Sequence, residues 1–391
     1  MIESIVMFKK AEEVIKNMQQ HQEWINSTWE KIEKKMSIIA PRSRDKIPYT
    51  TIDGTHDDKS DWIDWWTNGF WAGMMWILYD VTKNDMYKEI AEISENKLDR
   101  AIEEFVGLHH DVGFMWLLSA VANYRLTGNE RSKVRGLHVA NTLAGRFNTE
   151  GNFIRAWNDW GNGEDHTGWA IIDCMMNLPL LYWASKEEND PRFTQIAKKH
   201  ADTVIETFVR PDGSVKHVVE FDPETGEYVK NLVGQSFAEE SSWTRGQAWA
   251  VYGFVLSYIY TGKQEYLDTA KRIAHYFIAA LPDDYVPPCD FRSPKEPEYK
   301  DTTAGVCTAC GLIEIARNVP EYEKELYLNA AIKMLKAIGE RYCNWSNDED
   351  SIVQMGTEAY HYGGKNIPII YGDYYFIEAI YKLKSNDKLF W

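Results

Sequence analysis

Apolar residues recur at helical spacing along most of the chain, in two alternating kinds of segment. The first kind is apolar and aromatic nearly all round, as in residues 70–79, 114–121, 171–183 and 249–260. A helix that is hydrophobic on every side is buried. The second kind carries one charged face, as in residues 87–105, 192–208, 265–277 and 321–338. Within it, Ala270, Ile273, Ala274 and Phe277 keep the i, i+3, i+4 spacing of a surface helix. Short polar turns separate the two kinds at residues 80–85, 127–130, 188–191 and 261–264. In them Gly128, Asn189 or Gly262 can stop one helix, and Pro191 or an acidic residue can start the next. An inner helix, a tight turn and an outer helix form a hairpin, and the hairpin recurs along the chain.

The buried helices begin near residues 66, 110, 168, 243, 303 and 370. The last has no outer partner after it, and the amphipathic stretch 1–35 can supply one and close a ring. The pattern therefore predicts an all-α fold, an (α/α)6 barrel or six-hairpin toroid, formed by residues 1–391 as one domain. This overrides the length prior of roughly 100–200 residues per domain. The links 148–167, 209–242, 281–302 and 342–370 are long and would all emerge at one end of the ring. Long loops in a compact fold usually carry function. Alternation within 214–232, around Asp222 to Gly226, predicts a small β-hairpin on that rim.

Composition narrows the function. The net charge is −16, yet the 391 residues include 16 Trp, 22 Tyr and 15 Phe. That aromatic content excludes disorder, and the negative charge opposes nucleic-acid binding. No apolar run approaches the roughly 20 residues that span a bilayer. The N-terminal stretch lacks the basic start and unbroken apolar run of a signal peptide, so a cytoplasmic location is expected. Five cysteines are too few, and odd in number, for a disulfide scaffold. Cys307 and Cys310 form a CxxC without a second pair, and read as small core residues on one helix face.

Candidate chemistry gathers at the loop end. Gly69, Gly113, Gly168, Gly246, Gly305 and Gly372 each lie beside the start of an inner helix. Glycine lets a backbone or a ligand approach closely, and helix N-termini favour an anion. Capping and tight packing are the competing account of each glycine. Asp173 lies among apolar neighbours, where burial raises a carboxyl pKa and keeps an acid protonated near neutrality. Asp111 opens the preceding inner helix, which favours its anion, although an N-cap role explains it equally well. Two carboxyl groups under opposite pressures make an acid/base pair. Arg245 and Trp249 share one helix face and could grip a carboxylate and stack on a sugar ring. A salt bridge to Glu239 or Glu240 is the structural alternative for Arg245. Trp66, Phe70, Trp157, Trp160 and Trp169 cluster near the same end, and His217 lies on the hairpin. No HExxH spacing points to a metal, no GxSxG to a serine nucleophile, and Gly363-Gly364-Lys365 is no phosphate loop.

An ordered series of motifs resembles the unsaturated glucuronyl hydrolases, glycoside hydrolase family 88. The series runs Trp66 to Trp71, His110 to Phe114, Arg155 to Trp157, Ile172 to Asn177, Ser242 to Trp249, Asn366 to Pro368 and Tyr371 to Phe376. The resemblance implies an (α/α)6 barrel needing no metal or cofactor. It also implies an enzyme that removes a 4,5-unsaturated uronic acid from the non-reducing end of oligosaccharides made by polysaccharide lyases. In that family an aspartic acid protonates the vinyl ether at C4 and water adds at C5. By motif, Asp173 resembles the general acid/base and Asp111 its partner at the uronate ring. His217, Gln235, Arg245 and Trp249 correspond to substrate-binding positions, and Trp66, Phe70 and Trp157 to aromatic walls. Gly234 and the loop from Tyr360 to Lys365 would neighbour the next sugar. With Lys365 its only basic residue, that loop favours unsulfated or variably sulfated units. Three alternatives stay open: a pectin-directed unsaturated rhamnogalacturonyl hydrolase, an (α/α)6 sugar epimerase and a non-catalytic sugar-binding toroid.

Overall fold

The polar turns are where the chain reverses. The computed structural model describes residues 2–159, 161, 163–384 and 388–391, with side chains from residue 19 onward. Inner helices end in a left-handed residue at Lys83 (φ 55°), Gly128 (75°), Asn189 (51°) and Gly262 (67°). After the first three, the outer helix starts on a side-chain cap. Asn84 Oδ1 accepts from Met86 N–H at 3.1 Å, Asn129 Oδ1 from Arg131 N–H at 3.0 Å and Asp190 Oδ1 from Arg192 N–H at 2.9 Å. Gly and Asn tolerate the left-handed stop, and Asn and Asp satisfy free N–H groups at the start.

The inner helices are Phe70–Thr82, 112–127, Leu178–Glu188, Thr244–Thr261, Thr302–Asn318 and Ile370–Leu383. The outer ones are Asp85–Glu103, Glu130–Ala144, Pro191–Thr207, Gln264–Ala280, Glu321–Arg341 and the long Ile2–Arg42. Ile370–Leu383 packs on Phe70–Thr82, and Ile2–Arg42 packs on both Ile370–Leu383 and Asp85–Glu103. The N-terminal helix thus completes the ring, an (α/α)6 barrel; Met1 lies outside the described residues. Buried Lys35 fastens it, its ammonium donating to the carbonyls of Asn344 and Ser351 at 2.5 and 2.9 Å. No helix among the described residues is long and apolar enough to cross a membrane.

Two inner helices depart from the expected pattern. The third is preceded by a strand, Trp169–Ile171, and a 3₁₀ turn, Ile172–Met176. Consecutive β-branched residues, Ile171 and Ile172, favour the extended start. Pro179 has no N–H to give, so the α-helix begins just before it. The strand pairs antiparallel with Val218–Phe221, which pairs with Tyr228–Leu232. The expected rim hairpin is therefore two-thirds of a three-stranded sheet. The second inner helix widens to a π turn at Leu117–Val121, where the Ser119 hydroxyl donates to the Met115 carbonyl at 2.6 Å. Such back-bonding competes with the helix ladder.

Gly69 and Gly113 serve packing between helices. A Cβ at Gly69 would lie 2.2 Å from the Phe114 carbonyl oxygen and 2.4 Å from that of Met115. A Cβ at Gly113 would lie 2.5 Å from Asn177 Oδ1. Of the two readings at these positions, close packing is the one observed. Below the rim the axis is filled: Phe70, Phe114, Trp249, Tyr371, Tyr375 and Trp391 interlock, with Trp391 stacked on Tyr375 at 5.8 Å. The inner helices enclose a packed floor under an open mouth.

Gly69→Ala should cost about 3 kcal/mol, because the backbone of Phe114 and Met115 leaves no room to relax. Gly128→Ala meets nothing within 4 Å and should cost only about 1 kcal/mol for its left-handed backbone. Urea denaturation of both variants measures the contrast.

Candidate active site

A cavity of about 490 Å³ opens where the inner helices start. Six residues expected from the sequence line it: Trp66, Asp111, Trp157, Asp173, Gln235 and Arg245. Trp169, grouped with them by its place in the sequence, lines it too. Trp65, His109, Glu164, Leu232, Gly234 and Tyr362 complete the wall.

Asp173 sits in the 3₁₀ turn with its side chain 14% exposed. Its Oδ1 is covered and has no hydrogen-bond partner. Burial, reinforced by the negative charge of Asp111, drives this carboxyl well above the ordinary range. Arg245, the Asp173 N–H and the Trp249 indole oppose the rise without cancelling it.

Asp111 goes the other way. Burial alone would raise it, but the imidazoles of His110 and His109 and the amide of Asn177 hold it below the ordinary carboxylate range. Its Oδ2 lies 3.3 Å from His110 Nε2 and 3.4 Å from His109 Nδ1. Burial pushes His109 itself down to about 4. Asp111 occupies the N-cap position of the second inner helix, yet its carboxylate makes no cap bond. Asn177, four residues beyond Asp173, reaches across instead and accepts from Phe114 N–H at 2.9 Å. The opposite pressures read from the sequence are both present; the N-cap role is not.

His217 hangs from the start of the rim strand. Its Nδ1 accepts from Gln235 N–H at 2.9 Å, which leaves the ring proton on Nε2. That nitrogen has no partner and faces Asp173 Oδ1 at 3.8 Å. Burial, aided by the nearby Arg245 cation, pushes His217 down to about 3, so it is a neutral donor. The Gln235 amide turns away to donate to the Glu358 carbonyl at 2.7 Å.

Arg245 corrects an expectation. Its guanidinium is buried, paired with Asp301 at 2.5 Å, and donates to the carbonyls of Thr357 and Glu358. Neither Glu239 nor Glu240 is its partner; Glu240 lies by Arg210 at 3.5 Å. Trp243 and Tyr371 lie 4.5 and 5.4 Å from the guanidinium. With Arg245 compensated and His217 neutral, neither gives the cavity a free positive charge.

Five expected residues lie outside the wall: His217, covered behind Asp173, and four more. Phe70 and Trp249 are fully buried in the aromatic floor, because Phe114, Tyr371 and Tyr375 cover the faces a sugar would need. Tyr360 is buried against Phe237 and Tyr299, and Tyr362 takes its place at the mouth. Lys365 donates to the carbonyls of Tyr362 and Gly363 within its own loop. That loop does adjoin Gln235, whose carbonyl accepts from Tyr360 N–H at 3.0 Å. Trp160 lies outside the described residues.

Sequence reading overlooked Asn177, Asp301, Trp65 and Glu164 as site residues, and placed the loop of Tyr362 at the site without singling out that residue. Only Asn177 carried a signal, its four-residue spacing from Asp173. Among the described residues, His109, His110 and Asp111 form one group that could ligate a metal, which the sequence spacing did not suggest. It fits a metal poorly: a metal-held imidazole donates its other N–H to a partner, and His110 Nδ1 has none.

Asp173 gives a stability test. Its carboxyl titrates higher in the folded chain than unfolded, so the folded state loses stability as pH rises from about 4 toward the raised value. Asp173→Asn removes that loss. The variant should equal the parent near pH 4 and exceed it increasingly above, by about 1.4 kcal/mol per pH unit until the carboxyl ionises. Thermal melts between pH 4 and 9 measure the difference.

Comparison with known proteins gives the family of the chain. The model of the Glycosyl Hydrolase Family 88 matches residues 39–287. An unsaturated glucuronyl hydrolase from Bacillus sp. strain GL1 is 36% identical over 359 residues, covering 89% of this chain and 93% of that protein. An unsaturated chondroitin disaccharide hydrolase from Streptococcus pneumoniae is 33% identical, covering 83% of each. The crystal structure of unsaturated glucuronyl hydrolase from Streptococcus agalactiae superposes with a TM-score of 0.87 at 31% identity, covering 94% of this chain and 93% of that one. Matched by the family model over more than half its length and more than 30% identical to these relatives over most of it, the chain belongs to Glycosyl Hydrolase Family 88.

Proposed function

We propose that this chain, as one catalytic unit, is an unsaturated glucuronyl hydrolase. It releases the 4,5-unsaturated glucuronic acid at the non-reducing end of lyase-made oligosaccharides of the glycosaminoglycan type. The observation that carries this reading is a carboxyl group, Asp173, held neutral beside an ionised one, Asp111, at an aromatic mouth. Protonating a carbon needs an acid that still holds its proton near neutrality.

Asp173 delivers its proton to C4 of the C4=C5 vinyl ether. Positive charge develops on C5 and the ring oxygen. Asp173, now a carboxylate, takes a proton from the water that adds to C5. The hemiketal opens, and the sugar at C1 leaves. Asp111 holds the uronate ring and faces the developing charge. His217 Nε2–H donates to a substrate oxygen, Gln235 fixes that tautomer through its N–H and lines the cavity, and Trp66 and Trp157 flank the ring. Phe70 and Trp249 hold those walls from below. The helix N-termini offset the uronate charge, and Arg245, paired with Asp301, braces the wall beside Asp173. The loop bearing Tyr360 and Lys365 borders the next sugar, with Tyr362 as its contact, and suits unsulfated or variably sulfated units. Five unpaired cysteines and the −16 charge support a cytoplasmic enzyme that does not bind nucleic acid.

The test uses unsaturated chondroitin and hyaluronan disaccharides, following the ultraviolet absorbance of the conjugated double bond. The absorbance should fall. Asp173→Asn should slow the fall by about 10²–10⁴-fold while still binding the disaccharide. The rate should decline at alkaline pH as Asp173 loses its proton, and in acid as Asp111 gains one. Loss of absorbance only with a pectin-derived disaccharide would assign the chain to rhamnogalacturonyl chemistry, and full activity of Asp173→Asn would refute the mechanism.

A further inference from the structure

Asp111 stands at a helix start, where an aspartate ordinarily turns its carboxylate onto the N–H groups of the first turn. Here it does not. The Phe114 N–H, the natural target, is taken by Asn177 Oδ1 at 2.9 Å. The same amide donates through Nδ2 to Asp111 Oδ1 at 3.1 Å and to the Asp173 carbonyl at 3.2 Å. Asn177 is fully buried. Its amide has one workable orientation, since the flipped form would set oxygen against the Asp111 carboxylate and N–H against N–H at Phe114.

Asn177 is also free to do this. It precedes Leu178–Glu188, but its side chain makes no cap bond to that helix. One N–H it would otherwise serve does not exist, because the second helical residue is Pro179. The close crossing depends on Gly113, where a side chain would strike Asn177 Oδ1 at 2.5 Å and Cα at 2.7 Å.

We infer that Asn177 is a positioning residue: by capping the second inner helix in place of Asp111, it keeps the Asp111 carboxylate aimed into the cavity and ionised. Without the amide, Asp111 would rotate onto the Phe114 N–H and away from substrate. This rests on the function proposed above, and the test separates the two.

Asn177→Asp keeps an acceptor for Phe114 and loses the donor to Asp111. Asn177→Ala loses both. Measured on the full chain with the unsaturated chondroitin disaccharide, both should lower kcat about 10–100-fold, a loss of the size that misaligned groups produce. The acid limb of the pH profile should move upward. Both variants should melt below the parent, Asn177→Ala for the lost amide and Asn177→Asp for a carboxyl buried against Asp111. Carbon-13 carboxyl NMR without substrate should show the Asp111 pKa raised in both. Unchanged kcat per folded molecule, with an unmoved acid limb and an unmoved Asp111 pKa, would overturn the inference and leave Asn177 structural. An inactive parent would overturn the functional reading alone, because the NMR titration still decides the role of Asn177.

Discussion

The chemistry of this barrel depends on one constraint: the Asp173 carboxyl is covered, lacks a partner at Oδ1, and sits near a carboxylate that stays charged. A buried anion without compensation is costly, so Asp173 keeps its proton. Much of the surrounding structure preserves that condition. Arg245 is the cation best placed to pull the proton off, and Asp301 compensates it at 2.5 Å. His217, 3.8 Å away, is neutral and offers an N–H. Asp111 remains ionised through two imidazoles and an amide. The two carboxyls differ in company more than in depth.

The same constraint reshapes the charge argument. A chain of net charge −16 does not steer anions toward itself over long range. Arg245 and His217 do not supply the compensating charge that their residue types suggest. The helix N-termini that meet at the mouth remain, each with a partial positive charge that acts over a turn or so. An anionic sugar would be held mainly by neutral donors and oriented dipoles. That arrangement binds a carboxylate without placing a free cation against Asp173.

The barrel was legible because its signals are local. Segments such as 70–79 are apolar on every side and must be buried, and Gly128, Asn189 and Gly262 mark reversals through their tolerance of left-handed backbone. The opposed pressures on Asp173 and Asp111 were legible for the same reason, since each follows from its immediate neighbours. What escaped depends on distant partners. Nothing near Arg245 indicates that Asp301, beyond another helix, will claim it. The i, i+4 relation of Arg245 and Trp249 placed both on one face, but Phe114 and Tyr375 cover the indole. Local signals left Asp111 equally readable as a cap, and the contact that displaces it comes from Asn177 at the start of a neighbouring inner helix.

The protonation state of Asp173 is the claim on which the rest turns, and infrared difference spectroscopy reads it without substrate. Spectra of the parent minus Asp173→Asn at pH 7 should show the carbonyl stretch of a protonated carboxylic acid, disappearing only as pH is raised well above the ordinary carboxylate range. A difference spectrum at pH 7 with carboxylate bands alone would contradict the account.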